Sequence, residues 1–268
     1  MMDIVIPSSG RHDRALTPSR LPPELAARAI MLVPHGEGAA YAGRWQNVME
    51  TPADLKGIAA TRQWILDNMH DDKLLMLDDD LRFDVRRIHE PSKFLVATFE
   101  QVTALFVDIE RQLSKYLHLS VTTREGGNRL GDEGRYFEVG RSLRALGYRR
   151  RELNALRVRF DRLPLMEDMD VTLQLLRLGH PNLIINYAVQ GQGQSNAPGG
   201  CSQYRDQTLQ ARAAQGLAEL HRPHVRLAQV ETKGAWWAGV RTDVEVQWKQ
   251  AFKEGELRAK GIEQKELF

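Results

Sequence analysis

The sequence predicts an α/β fold, a single domain with an open, mostly parallel, twisted sheet flanked by helices. Three observations lead there. Short apolar runs alternate with amphipathic stretches along the chain. A length of 268 residues with 42% hydrophobic content is enough for a substantial core. The run Leu74-Leu75-Met76-Leu77 stops abruptly at Asp78-Asp79-Asp80. A buried-type strand ending on three carboxylates reads as a core strand that delivers a site, because ligands of open α/β sheets bind at the carboxyl ends of the strands.

Taken in order, Asp3 to Pro7 is a short strand that runs into the polar loop Ser8 to Arg14. Ile30 to Val33 is a second strand, closed by Pro34 and Gly36. Asp54 to Met69 carries a helical stripe (Leu55, Ile58, Ala59, Ile65, Leu66, Met69), with Asp54 placed as its N-cap. The core strand Leu74 to Leu77 follows, and then an amphipathic helix from Phe99 to Leu117. Asp170 to Leu178 is helical and stopped by Gly179 and Pro181; Asn182 to Val189 is a strand. Gly191 to Ser202 reads GQGQSNAPGGCS, a segment that cannot bury an apolar face and serves either as a lid over a ligand or as a surface loop. Gln203 to Leu220 is a helix, and the charged stretch from Lys249 to Phe268 is expected to fray. Residues 1–230 form the main domain in this reading, with 231–268 a C-terminal extension packed on it.

Composition narrows the classes. The single cysteine, Cys201, excludes an intrachain disulfide and a multi-cysteine zinc site. No apolar stretch approaches a membrane span and the N-terminus lacks a signal-peptide pattern, so a cytoplasmic location is expected. The net charge of +2 hides a bias: Arg124 to Arg162 holds eleven arginines and no lysine against six carboxylates. Arginine suits bidentate contacts to phosphate, so the segment points to a polyanionic partner, or else to an ordinary solvated surface. Arg149-Arg150-Arg151 is its densest run and the candidate nucleic-acid contact.

Two acidic clusters carry the candidate chemistry. Two aspartates one residue apart can hold a hard divalent cation shared with a substrate's phosphate oxygens; the plain alternative is a solvated acidic turn. Glu167-Asp168-Met169-Asp170 opens a helix, where acids also complement the helix dipole. The combination, with a glycine closing that helix, resembles the GT-A nucleotide-sugar glycosyltransferases. Closer likeness comes from Ile4-Val5-Ile6-Pro7-Ser8-Ser9-Gly10-Arg11, Leu77-Asp78-Asp79-Asp80-Leu81, Leu165-Met166-Glu167-Asp168-Met169-Asp170 and Gly199-Gly200-Cys201-Ser202-Gln203-Tyr204-Arg205. Together these segments are similar to the TET-associated glycosyltransferases of bacteriophages, which are implicated in adding sugars to 5-hydroxymethylpyrimidines in DNA.

The resemblance implies a hexosyltransferase taking a nucleotide sugar, expected to be a UDP-sugar, with Mn²⁺ or Mg²⁺. It implies donor contacts from Pro7, Ser8, Ser9, Arg11, Arg62, Asp78 and Asp79, with Arg62 near the diphosphate. Asp80, with Asp78, is the implied metal ligand, and Asp78 alternatively faces the ribose. Asp168 is the implied general base, with Glu167 orienting donor or acceptor, while a retaining reaction would remove that base role. By the same resemblance His221 or His224 is a candidate third metal ligand. DNA carrying hydroxymethylated bases, 5-hydroxymethylcytosine among them, is the implied acceptor, in a host cytoplasm if the chain is phage-encoded. Trp236-Trp237 reads as a packing anchor or as a stacking platform for a base or sugar. Three rivals stand beside this reading. A nucleotidyltransferase would want a glycine-rich loop where Ser8 to Arg14 has one glycine. A non-catalytic nucleic-acid module would leave both acidic clusters unexplained. A glycosyltransferase acting on a protein or a small molecule remains the third.

Overall fold

The computed structural model describes residues 1–192, 199–232 and 239–261. Among the described residues twelve strands are formed: β1 (Met2–Pro7), β2 (Ile30–Val33), β3 (Val48–Glu50), β4 (Lys73–Leu77), β5 (Leu81–Arg86), β6 (Phe94–Val96), β7 (His118–Thr123), β8 (Tyr136–Glu138), β9 (Ala145–Arg149), β10 (Leu183–Gln192), β11 (Val225–Thr232) and β12 (Gly239–Val246). The long helices are α1 (Ile58–Asn68), α2 (Phe99–Gln112), α3 (Glu167–Arg177), α4 (Gln207–Leu220) and α5 (Trp248–Ala259).

Ten strands make one sheet in the order β3-β2-β1-β4-β9-β7-β10-β5-β6, with β8 also paired to β10. Strands β3, β2, β1, β4, β7, β10 and β6 point one way, and only β9, β5 and β8 run against them. The sheet is thus mostly parallel in direction, as expected. From β1 the chain moves outward to β2 and β3, then returns to β4 on the other side of β1. That reversal opens a crevice at the carboxyl ends of β1 and β4, where Pro7 and Leu77 hand over to the loop Ser8–Arg14 and to Asp78–Asp80.

The central strands β1, β2 and β4 are largely apolar because both faces are covered. Ile4, Ile6, Leu75, Leu77 and Leu119 pack under α2, and Val5, Leu74, Met76, Leu146 and Tyr148 pack under α1 and α3. A smaller cluster of Met169, Leu173, Leu217, Val225 and Ala251 joins α3 to α4, α5 and β11.

Several boundaries differ from the sequence reading. Helix α1 begins at Ile58 after Gly57 (φ +82), so Asp54 is not its cap. Helix α2 stops at Gln112 rather than Leu117, and starts from a capping box between Thr98 and Gln101. Helix α3 begins at Glu167, so the acidic cluster is its first turn, while α4 begins at Gln207 on the Asp206 cap. Of the stretch from Lys249 to Phe268 expected to fray, the part up to Ala259 instead belongs to α5, whose Gly255 lies against the end of α3, and residues 262–268 lie outside the described residues. Trp236 and Trp237 lie outside the described residues, as do residues 193–198 of the glycine-rich segment.

Candidate active site

Arg62, on the second turn of α1, is buried between two carboxylates from different elements. It donates through Nη2 to Asp78 Oδ1 at 2.8 Å and through Nη1 to Glu167 Oε1 at 2.7 Å. This bridge brings the end of β4 and the start of α3 together. Burial alone would lower the Arg62 pKa, but Glu167 and Asp78 raise it above its ordinary value. Burial pushes the Asp78 carboxyl up to about 6 and Glu167 up to about 7, against the opposing pull of Arg62 in both cases. Asp80 is also raised, by burial and by the neighbouring Asp79 charge.

Asp79 faces inward. Its carboxylate accepts from Ser8 Oγ and from Arg11 Nη1 (2.6 Å), and its carbonyl accepts from the amides of Leu16 (2.7 Å) and Thr17 (2.9 Å). It therefore ties the loop after β1 to the end of β4 and leaves Asp78 and Asp80 to face the crevice. Arg11 also reaches Asp80 at 3.5 Å, so a guanidinium stands on each side of the acids. Ser8 shares its hydroxyl with the buried Tyr41 (2.8 Å), which also accepts from the Arg11 amide (2.9 Å); Ser9 and Gly10 are held by Glu37. Pro7 ends β1 beside Leu32.

The tract after the glycine-rich segment closes over this loop. Gly200 N donates to Ser9 O at 2.8 Å, and Arg11 Nη2 donates to Gly199 O at 3.3 Å. A Cβ on Gly199 (φ +91) would come within 2.6 Å of Arg11 Cγ, so only glycine fits this approach. Tyr204 Oη accepts from Ile58 N at 3.0 Å, filling one of the open amides at the start of α1. Cys201 lies close by, its thiol pushed up to about 11 by burial. Tyr41 and Tyr204 were not singled out in the sequence. Tyr204 alone had a signal, since it lies in a tract that carries the family likeness.

Helix α3 enters through Met166 in the left-handed conformation (φ +63), and its first residue, Glu167, is the one that reaches Arg62. Asp168 is half-buried and accepts from Met169 N at 2.8 Å. Asp170 has a different role: it takes Arg162 in a two-point contact (2.8 and 3.0 Å) and His221 Nε2 at 2.6 Å.

Both histidines expected near the metal have carboxylate partners of their own. His221 is committed to Asp170, and His224 Nε2 lies 3.1 Å from Glu254. Among the described residues no group of three His, Cys, Asp or Glu side chains is arranged to hold a metal. The arginine run lies away from the acids. Strand β9 runs against β4, pairing Ala145 with Leu77 and Arg149 with Lys73, so Arg149–Arg151 lie at the edge of the sheet opposite the acids. Arg149 pairs with Asp72 (2.9 Å) and Glu152, while Arg150 donates to the carbonyls of Leu66, His70 and Asp71. These side chains close the turn before β4.

A switch-point crevice lined by strand-end aspartates, buried arginine and an acidic helix start is the framework of a nucleotide-sugar glycosyltransferase of the GT-A type. The chain belongs to the TET-associated glycosyltransferase family, whose model matches residues 2–200. It is 28% identical over 236 residues to the beta-glucosyl-HMC-alpha-glucosyl-transferase of Enterobacteria phage T2, covering 81% of this chain and 80% of that protein. The enzyme of the same name from phage T6 is 27% identical over 237 residues, with the same coverage. A mycobacterial protein of known crystal structure shares the fold at a TM-score of 0.51 and 13% identity, covering 95% of this chain and 88% of that one. Among the described residues no helix is long and apolar enough to cross a membrane.

Proposed function

We propose that the protein moves a hexose from a UDP-sugar to a hydroxyl on a modified pyrimidine of DNA, with Mn²⁺ or Mg²⁺ held by Asp80 and Asp78. The observation that carries this reading is the convergence of Asp78, Asp80, Arg62 and Glu167 in one crevice. The donor set suits such an ion, which binds through one or two carboxylates and completes its shell with substrate phosphates and water. When bound, the ion would offset the negative charge that grows on the departing diphosphate. Arg11 and Arg62 flank the same position and supply fixed positive charge to it. The loop Pro7–Ser9, locked by Tyr41, Asp79 and Glu37, shapes the nucleoside side. Asp168 takes the proton of the attacking hydroxyl, and Glu167, pinned by Arg62, orients the sugar.

The acceptor class rests on the two phage relatives, which are named for HMC. Their names also favour a second reading, in which the acceptor is a glucose already attached to the base and the new linkage is α. A retaining transfer of that kind would remove the base role from Asp168 and leave proton removal to the donor phosphate. The test is incubation with UDP-glucose and Mn²⁺ on unmodified, hydroxymethylated and β-glucosylated DNA, followed by mass spectrometry of the nucleosides. Gain of a hexose on a modified DNA alone is expected. Donor hydrolysis without transfer to any DNA would remove the acceptor assignment, and failure to hydrolyse any member of a panel of nucleotide sugars run in parallel would remove the donor assignment.

A further inference from the structure

A row of arginines stands at the catalytic edge of the sheet, outside the acidic crevice. Arg144 immediately precedes β9, Arg124 immediately follows β7, and Arg82 is the second residue of β5. These strands are near neighbours in the order β4-β9-β7-β10-β5. Because β9 and β5 run against β7 and β10, the starts of β9 and β5 and the end of β7 fall at one edge, the edge that carries Asp78–Asp80. The row begins at the acids, where Asp78 N donates to Arg144 O at 2.9 Å. At about 4.8 Å per strand, the three steps from β9 to β5 span about 14 Å.

The row is held in place. Asp84, 1% exposed, pairs with Arg124 and lies 3.8 Å from Arg82 Nε; its Oδ1 has no hydrogen-bond partner. Arg144 pairs with Glu125 at 2.8 Å. Gly191 of β10 stands opposite Arg82, and a Cβ there would lie 3.3 Å from the Arg124 side chain and 3.4 Å from Arg82 Nε. The two side chains therefore lie on either side of bare backbone. Arg82 remains 53% exposed and Arg124 36%. Each guanidinium carries five N–H donors, so one anchoring carboxylate leaves others to offer.

We propose that Arg144, Arg124 and Arg82 are the phosphate track of the acceptor, a line of contacts to the sugar–phosphate backbone of a DNA strand leading into the crevice. The proposal rests on the DNA-acceptor reading above. Phosphates along one strand advance about 3.4 Å each on the duplex axis, so a row of about 14 Å covers about four nucleotides. Of the carboxylates at this edge, Asp84 and Glu125 anchor the guanidinium groups, while Asp78–Asp80 stand in the crevice at the end of the row. Arg149–Arg151, at the opposite edge, have no part in it.

The test is fluorescence anisotropy of a labelled unmodified duplex with the full-length protein, titrated from low to near-physiological salt. The variants are Arg82→Gln, Arg144→Gln and, as the remote comparison, Arg151→Gln. Arg82→Gln and Arg144→Gln should each weaken binding about threefold to tenfold and make the plot of log affinity against log salt shallower by about 0.9. Arg151→Gln should leave both quantities as in the wild type. Arg82 is more than half exposed, so its replacement leaves the core intact, and Arg82→Lys should restore most of the salt slope. An unchanged slope in both track variants, or a loss in Arg151→Gln, would overturn the track and spare the acceptor reading. Wild-type protein that binds no DNA at low salt would overturn both.

Discussion

Arg62 organises the crevice because it is a buried cation whose two forks go to different elements. Removing one member of such a buried pair typically costs about 3–5 kcal/mol, which makes it a poor first choice for dissecting function. The acids offer a cleaner separation. Asp80→Ala should abolish the metal dependence of UDP affinity measured by calorimetry, and metal-dependent binding persisting in that variant would refute Asp80 as a ligand. Asp168→Asn keeps shape and hydrogen bonding but cannot accept a proton, so transfer should fall on the order of a hundredfold with donor affinity little changed. Near-normal turnover there would favour the retaining reading. Glu167 adds a pH signature. With its carboxyl pushed up to about 7 by burial, the folded chain binds that proton more tightly than the unfolded chain does. The stability this confers is present below the ordinary carboxylate range and is lost as the pH rises through about 7. Glu167→Gln has no such titration, so its melting temperature relative to wild type should climb between about pH 5 and pH 8. A constant difference would show that Glu167 ionises normally. Asp78, Asp80 and Glu167 were legible because adjacency in sequence at a strand end and a helix start puts them on one edge. The Asp170–His221 pair was not, because its partners are brought together by tertiary packing alone.

Among the elements, α3 carries the most consequence, since its first turn holds Glu167 and Asp168 and its body is gripped from two sides. Val171 and Leu175 face the sheet, while Met169 and Leu173 face the cluster built by α4, α5 and β11. The period of these residues and their acidic first turn were readable as a helix, but the backbone that leads into it was not. Met166 in the left-handed region is an unfavourable entry for a side-chain-bearing residue, and no residue preference announces it. Helix α1 shows the same limit: its first amide is satisfied by Tyr204, far along the chain, so the local candidate Asp54 was a misleading cap. The grip on α3 is tightest at Gly255 of α5, where an added Cβ would overlap the carbonyl of Leu176 and the backbone of Arg177. Gly255→Ala must therefore push α5 off α3, at about 1–3 kcal/mol for overpacking of this kind. Chemical denaturation would read that loss directly. An unchanged midpoint would mean that the two helices slide apart freely and that the contact does not restrain α3.

For the molecule as a whole, direction within the sheet decided what the sequence could reveal. The strands β1, β2 and β4 were readable as apolar runs, and their order put the acids where an open sheet binds ligands. Strand β9 was not readable, because Ala145–Arg149 sits in an arginine-rich segment with one aromatic and a glycine. Its antiparallel course is what separates Arg144, beside the acids, from Arg149–Arg151 at the far edge. Charge density along the chain therefore could not tell arginines beside the acids from arginines at the far edge of the sheet. The C-terminal part lies beyond the residues matched by the family model and yet covers α3. Leu173, Leu217 and Ala251 are each fully buried where α3, α4 and α5 meet. A chain ending at residue 246 would lose α5 and uncover Leu173 and the end of α3, and fully burying one leucine is worth about 1.5–3 kcal/mol. The truncated protein should melt well below the full chain. Its UDP affinity should also fall, because Glu167 holds Arg62 only while the start of α3 stays in place. Melting and calorimetry on the two chains side by side separate the alternatives. Equal melting temperatures would make α5 an appendage, and a lower melting temperature with unchanged UDP affinity would show that the acidic helix start is held by the sheet side alone.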